Sequence, residues 1–405
     1  MSAHGLTEPV EPLTAAAGVL EERSRFAERT NPPRLPIALL GVAFDNVTLR
    51  ETVRRIETMV DSRRPHHVVT ANVDFLVLAR ADSDLHRIFL EAPLVLCDGT
   101  PLVWASRVLG NPLPERVAGS DLVPELIRVA ARKKYRLFFL GTTEQAAAQA
   151  VANVRAQFPE LKISYYSPPF RHLAEMDHTE ILQRIGAAEP DMLFVAFGCP
   201  KAEKWIAMHY RALGVPLVMG VGATIDFLAG RMRRAPLWMQ RGGLEWLYRM
   251  IQEPRRLFKR YLTDLRQFSG AILRQWWLLR IGTRKGTTRI SLGVLNENWQ
   301  RVEVSGCLNR KGVERDAMLW NRVLNTERDC LLALAGVTAI DSAGVALLIQ
   351  LKRQLLSIGR QLVLQSASPA VRRALRLLQL EEYLHLPPLL NKPMLISSPR
   401  ADMPA

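Results

Sequence analysis

This sequence is poor in the signatures that settle a function at a glance. Its 405 residues include four cysteines, Cys97, Cys199, Cys307 and Cys330, set far apart and without any CxxC or Cys/His ligand spacing. That excludes a disulfide framework or zinc motif as the first reading and suits a reducing, cytoplasmic compartment. Residues 1–34 are polar, proline-dotted and partly acidic (EPVEPL, EERSRFAER), with no apolar h-region, so no secretion signal is expected. The longest apolar run, Leu213–Leu228, is interrupted by Pro216, three glycines and Asp226, too short and broken to span a bilayer. There is no GxGxxG fingerprint and no P-loop, which disfavours a nicotinamide dehydrogenase. The spelling Asp82-Ser83-Asp84 matches a metal-binding DxD, but it falls inside a helical pattern and reads as a solvated cap, so no metal is assigned.

Acidic residues are also scarce in one region. The chain carries a net charge of +15, yet residues 231–289 alone hold 15 Lys+Arg against Glu245, Glu253 and Asp264. The same segment holds Trp238, Trp246, Trp276 and Trp277, half of the eight tryptophans. The rest is close to neutral and, at 48% hydrophobic residues overall, globular. Leu244, Leu247, Met250 and Ile251, then Leu257, Tyr261, Leu265 and Phe268, recur at helical spacing opposite the cations. An apolar face beside a basic one suits a helix lying on an anionic membrane surface. The alternatives are packing on its own domain and, less suited to that spacing, nucleic-acid binding.

The length allows two or three domains. Strand patterns at His67–Ala71, Leu94–Cys97, Arg136–Leu140, Lys162–Tyr166, Met192–Phe197 and Pro216–Val221 alternate with helical ones such as Leu49–Val60, Ser120–Lys133, Thr143–Phe158 and Lys201–Leu213. That alternation predicts an α/β fold, a Rossmann-like, mostly parallel sheet covered on both faces. The expected division is a flexible start (1–34), the α/β domain (35–230), a helical basic appendage (231–281), a linker (282–289), a second small α/β domain (290–390) and a tail (391–405). In the second domain, strands ISLGV, QRVEVSG and CLLALAGV precede a helix from Gly344 to Ile358, strand QLVLQSA and a helix from Pro369 to Leu380.

Ligands of such sheets bind beyond the carboxyl ends of the strands, so the loops there hold the candidate residues. Thr70 and Asn72 (VVTANVDFL) suit a base, ribose or sugar hydroxyl, or Asn72 caps the next helix. Asp98 (LVLCDGTPLVW) ends a buried strand, where a carboxylate is expensive unless used, and burial would favour proton acceptance; a loop or capping aspartate is the alternative. Arg116 (PLPERVAGSDL) precedes a helix start and suits a phosphate or a surface salt bridge. Gly141 (FFLGTTEQAAA) makes a strand–turn–helix that could cradle phosphate. Gly198, Lys201 and Glu203 (FGCPKAEKW) place a glycine turn before a charged first helical turn, with Lys201 in reach of a phosphate or simply solvated. Gly222 and Asp226 (GVGATIDFLAG) bring close packing and an acid that holds a ligand hydroxyl or caps the turn.

Taken in order, TANVDFL, LVLCDGTPLVW, ERVAGSDL, FFLGTTE, FGCPKAEKW, GVGATIDFLAG and RRAPLWMQRGGLEWLYRMIQEPRRLFKRY resemble the WecG/TagA/CpsF family of bacterial glycosyltransferases over about residues 37–262. The resemblance implies an inverting transferase using a UDP-sugar of the N-acetylmannosamine kind and a polyprenyl-diphosphate-linked acceptor, with no metal or other cofactor. It implies work at the cytoplasmic face of the inner membrane, in exopolysaccharide or cell-envelope assembly. It makes Asp98 the catalytic base with Thr70 and Asn72 beside it, and gives Arg233, Arg234, Arg249 and Arg256 to the membrane and the diphosphate. Ala202 departs from the family's glutamine (PKQEKW) and leaves the donor sugar open. The C-terminal unit resembles a STAS domain, in which Ser342, after Asp341, takes the place of a phosphorylatable residue or merely caps the helix. That domain implies a protein partner, and a non-enzymatic STAS-based sensor of nucleotide sugars is the alternative to an enzyme. No nucleic-acid partner is expected.

Overall fold

The computed structural model describes residues 34–232, 235–236, 238–239, 242–252, 254–280 and 286–386, the side chains of Arg249, Arg256, Leu257 and Arg280 apart. Six strands, β3 (His66–Ala71), β4 (Leu94–Cys97), β5 (Leu137–Gly141), β6 (Ile163–Tyr166), β7 (Met192–Ala196) and β8 (Leu217–Gly220), form one fully parallel sheet in the order β4-β3-β8-β7-β5-β6. Runs such as LFFLG and LVMG are buried residue after residue, as strands covered on both faces must be. A hairpin of β1 (Ile37–Leu39) and β2 (Val42–Phe44) precedes the sheet.

Helices α1 (Leu49–Asp61), α2 (Val73–Ala81), α3 (Ser83–Glu91), α4 (Thr100–Val108), α5 (Gly119–Lys133), α6 (Glu144–Gln157), α7 (His178–Ala188), α8 (Lys201–Leu213) and α9 (Thr224–Leu228) connect the strands. Their starts follow local chemistry. Thr48 and Glu51 close a capping box on α1, and Asp82, the first acid of the DxD spelling, caps α3 and pairs with Lys204 at 2.7 Å. Leu122, Leu126, Phe139 and Phe194 belong to the core on one side of the sheet; Val69, Leu76, Val95 and Leu102 form another cluster.

The basic segment folds as α10 (Glu245–Gln252) and the 27-residue α11 (Pro254–Arg280). Its apolar residues do not share one face, as the sequence suggested. Phe268, Ile272 and Leu279 are buried against the protein, whereas Phe258, Leu262, Leu265, Leu273 and Trp277 are exposed. No helix among the described residues is long and apolar enough to cross a membrane.

The C-terminal sheet has the order β12-β11-β10-β9, with β9 (Thr288–Val294) antiparallel to β10 (Trp299–Leu308) and β11 (Asp329–Ile340) and β12 (Leu362–Ala367) parallel to it. Helices α12 (Arg310–Arg315), α13 (Ala317–Leu324), α14 (Ser342–Ser357) and α15 (Pro369–Leu377) accompany it. Helix α14 is buried nearly all round, because Ala38, Ala43, Leu90 and Leu279 join Val345, Leu348 and Leu375 in one apolar cluster. The core of this second sheet therefore extends into the hairpin and helices of the first.

Candidate active site

Because all six strands are parallel, the loops singled out in the sequence open on one edge of the sheet. The chain runs outward from β3 to β4, then crosses to β5 and β6 before β7 and β8 fill the middle. The ligand position expected at such a reversal is above β8 and β7, between the loop holding Asp98 and the loop holding Gly141.

On the first side, Thr70, Asn72 and Asp98 stand at the ends of adjacent strands. The Asp98 amide donates to the Ala71 carbonyl at 2.9 Å, carrying the β3–β4 pairing up to the candidate base. Asp98 is half-buried, less enclosed than the sequence suggested. Asn72 lies close enough that a Cβ on Gly99 would stand 3.8 Å from its own. The capping reading of Asn72 holds, since its side chain accepts from the Phe75 amide at 3.2 Å. Thr70 is buried, and its hydroxyl donates to the Gly220 carbonyl at 3.4 Å.

Arg116 reaches this cluster because Val117 donates to the Cys97 carbonyl at 2.8 Å, laying residues 116–118 along the end of β4. Both arms of its guanidinium are engaged: Nη1 donates to Glu245 at 2.6 Å and Nη2 to Asp121 at 2.7 Å. Burial alone would lower its pKa, but the carboxylates of Glu245, Asp98 and Asp121 outweigh that and raise it. Its partner Glu245 opens α10. The appendage also touches the end of the Asp98 loop. A Cβ on Gly243, whose φ is +73°, would lie 2.4 Å from Thr100 Cγ2, two residues past Asp98. Residues 243–245 of the basic segment are therefore packed against the residues that flank the candidate base.

On the other side of that position, the Thr142 hydroxyl donates to Asp226 Oδ1 at 2.9 Å, tying the Gly141 loop to the Gly222–Asp226 loop. Arg231 donates to the Thr143 hydroxyl at 2.7 Å. Asp226 thus spends a carboxylate oxygen on a neighbouring loop. Gly198 and Gly222 have open space beside them. Lys201 is part-buried: its Nζ donates to the exposed Arg171 carbonyl at 2.5 Å and sits 5.0 Å from the exposed Phe170 ring and 5.1 Å from that of Phe197. Burial lowers its pKa.

Glu203 departs furthest from its place in the sequence reading. It is 6% exposed and lies against Gly220, where an added Cβ would meet Oε1 at 2.8 Å. Burial pushes its carboxyl up to about 7. It is a support beneath the loop rather than a charged group at the rim. Arg233 and Arg234 lie outside the described residues, as do the side chains of Arg249 and Arg256.

Contacts the sequence could not signal complete the site. Glu245 stands 129 positions from Arg116. Arg260 of α11 lies 3.9 Å from Asp74 of α2, while burial and Asp74 push the Asp264 carboxyl up to about 6.

Ser342 is 2% exposed, and its hydroxyl accepts from Gln275 Nε2 at 2.9 Å. Asp341 caps α14 by accepting from the Ala343 and Gly344 amides, each at 2.9 Å. In this arrangement the hydroxyl is closed off by the chain's own α11.

The description "Glycosyl transferase WecG/TagA/CpsF family" matches residues 37–282, and the STAS domain matches residues 308–392. The chain is 29% identical over 232 residues to an N-acetylglucosaminyldiphosphoundecaprenol N-acetyl-beta-D-mannosaminyltransferase of Staphylococcus aureus strain MW2, covering 57% of this chain and 89% of that protein. The protein of the same description from strain NCTC 8325 matches equally, at 29% over 232 residues with 57% and 89% coverage. A solved structure of the anti-sigma factor antagonist SpoIIAA in its unphosphorylated form aligns at 20% identity over 24% of this chain and 84% of that one, with a TM-score of 0.22.

Proposed function

The chain belongs to the WecG/TagA/CpsF family of glycosyltransferases, and we propose that it inverts the anomeric centre of a UDP-sugar while passing that sugar to a polyprenyl-diphosphate-linked saccharide. The observation that carries the roles is the meeting of Asp98, Asn72, Thr70 and Arg116 at the ends of β3 and β4, with Gly243 of the appendage against Thr100. Asp98 takes the proton of the acceptor hydroxyl as its oxygen bonds to the anomeric carbon. The bond from that carbon to the nucleotide diphosphate breaks, and UDP leaves with the electron pair. Arg116 and the cations of the appendage offset the charge that develops on the diphosphate. Glu245, at 2.6 Å, holds Arg116 beside the loop that carries Asp98.

The donor is proposed as an N-acetylmannosamine-type or related hexose, in keeping with the N-acetylmannosaminyltransferase activity of the staphylococcal relatives. Ala202 is buried and offers no side-chain hydrogen bond, so donor selection falls to other residues than in members with glutamine there. The exposed apolar side chains of α11 stand beside its cations, which supports a peripheral seat on the anionic cytoplasmic face of the membrane where a lipid-linked acceptor resides. Exopolysaccharide or cell-envelope assembly is the corresponding role, with the C-terminal domain open to a protein partner on its remaining surface.

Asp98→Asn is the direct test, with UDP-sugar donors and a short polyprenyl-diphosphate glycan. Loss of general-base help should cost roughly 10²–10⁴ in turnover with donor binding retained. Turnover within a factor of two of the unmodified protein would remove Asp98 from the chemistry.

A further inference from the structure

Strand β4, which delivers Asp98, is an edge strand with β3 as its one hydrogen-bonded strand neighbour in the sheet. The outer groups of an edge strand need partners from elsewhere, or the strand end is free to fray. Here Val117 takes that place at the Cys97 carbonyl, and one residue after the hairpin takes it at Val95. The Asp45 amide donates to the Val95 carbonyl at 2.9 Å, and Asp45 Oδ2 accepts from the Val95 amide at 2.9 Å. Asp45 thus pairs with β4 on both sides of Val95, three residues before Asp98.

What holds Asp45 comes from the C-terminal domain. Arg353 of α14 is 9% exposed, and its Nη2 lies 3.4 Å from each Asp45 carboxylate oxygen. Its Nη1 donates to the Ala92 carbonyl at 2.8 Å, at the turn that leads into β4. One planar fork therefore grips the strand's entry and the residue that pairs with its outer edge, a geometry lysine cannot reproduce. Arg55 also reaches Asp45, at 3.3 Å, but from a side chain that is 43% exposed. Across the same seam Arg310 donates to the Gly110 carbonyl at 3.2 Å and Gln379 to the Arg80 carbonyl at 3.3 Å, away from β4, while the Tyr383 hydroxyl donates to the Leu90 carbonyl at 3.3 Å, before the turn that Arg353 holds.

We propose that Arg353 is a positioning residue for the transfer reaction: through Asp45 and the Ala92 carbonyl, the C-terminal domain sets the strand that carries Asp98. The domain is then a working part of the transferase frame. The proposal rests on the reading of Asp98 as the base, and the two fail separately.

The test uses the full chain carrying Arg353→Gln, with Arg353→Lys beside it, and reads amide hydrogen exchange as well as turnover. With Arg353→Gln, amides at 95–98 should exchange at least about tenfold faster while those of β7 keep their rates, because the loosening is local. kcat should fall about tenfold to a hundredfold with the donor KM within a factor of two, since a misplaced base harms the reacting geometry more than binding. Arg353→Lys, which keeps the charge and loses the fork, should fall between the two. Unchanged exchange at 95–98, or faster exchange spread evenly over β7 as well, would overturn the proposal, as would local loosening with normal kcat. An Asp98→Asn protein that still transfers sugar would refute the base assignment while leaving the exchange result intact.

Discussion

At the scale of single residues, the site depends on groups whose chemistry is set by burial. Glu203 is the plainest case, a carboxyl with its pKa pushed up from 4.5 to about 7 by desolvation. The folded protein holds this proton up to about pH 7, whereas the unfolded chain releases it near 4.5. Between those values the folded state binds more protons, so stability falls as pH rises through that window and stays lower above it. Glu203→Gln keeps the shape and removes the titration. Thermal melts at pH 5 and pH 8 should show the variant gaining on the unmodified protein by up to about 3 kcal/mol between the two conditions. A gap independent of pH would mean that Glu203 is ionised in the fold. Gly141 makes a different demand. Its φ is +100°, and a Cβ would stand 2.8 Å from the Phe197 ring and 3.0 Å from the Ala196 carbonyl. Gly141→Ala should cost about 1–3 kcal/mol, read as a lowered Tm, and should loosen the two loops that Thr142 and Asp226 hold together.

At the scale of elements, β4, β5, β7 and β8 were legible because each is almost wholly buried and spelled as an apolar run, whereas β3 (HHVVTA) and the part-exposed edge strand β6 (ISYY) showed through their β-branched and aromatic residues. Their observed ends lie within a residue or so of the pattern, at Leu94–Cys97 without any shift. Since strand ends fix loop positions, the edge carrying the candidate residues followed as well. The hairpin Ile37–Phe44 went unmarked because its strands have three residues each, too few to show a period. The contacts that give residues their roles were not legible either. Arg116 meets Glu245, and Gln275 meets Ala38, across distances in the chain that local pattern does not encode. Helix α11 shows how a pattern can be right in kind and incomplete. Its apolar residues are amphipathic but serve two faces, one packed inside and one outside. Ile272→Ala should therefore cost about 2–4 kcal/mol of stability. Replacing Phe258, Leu262 and Leu265 together by Ser should leave the Tm unchanged. The triple variant should weaken co-sedimentation with anionic vesicles by roughly a hundredfold or more, because each lost apolar side chain is worth about 1.5–3 kcal/mol of burial. Equal sedimentation by both proteins would remove this face from membrane binding.

At the scale of the whole molecule, the two sheets are joined by more than a linker. Gln275, with 0% exposure, donates to the Ala38 carbonyl at 2.8 Å and to Ser342 Oγ at 2.9 Å, and accepts from the Leu40 amide at 2.9 Å. One amide side chain from α11 thus satisfies the hairpin of the transferase sheet and the first turn of α14 together. Around it Ala38, Ala43, Leu90 and Leu279 share an apolar cluster with Val345, Leu348 and Leu375. Loss of either side would bare that surface on the other, so the regions gain little by unfolding separately. Calorimetry of the full chain should give one transition, with the van't Hoff enthalpy equal to the measured one. Gln275→Leu keeps the bulk but strands the buried Leu40 amide and Ala38 carbonyl, which should cost about 2–4 kcal/mol. The single peak should move down intact. Two separated peaks in the unmodified protein, or a Gln275→Leu protein that melts at the same temperature, would mean the seam carries no stability and that each sheet stands by itself.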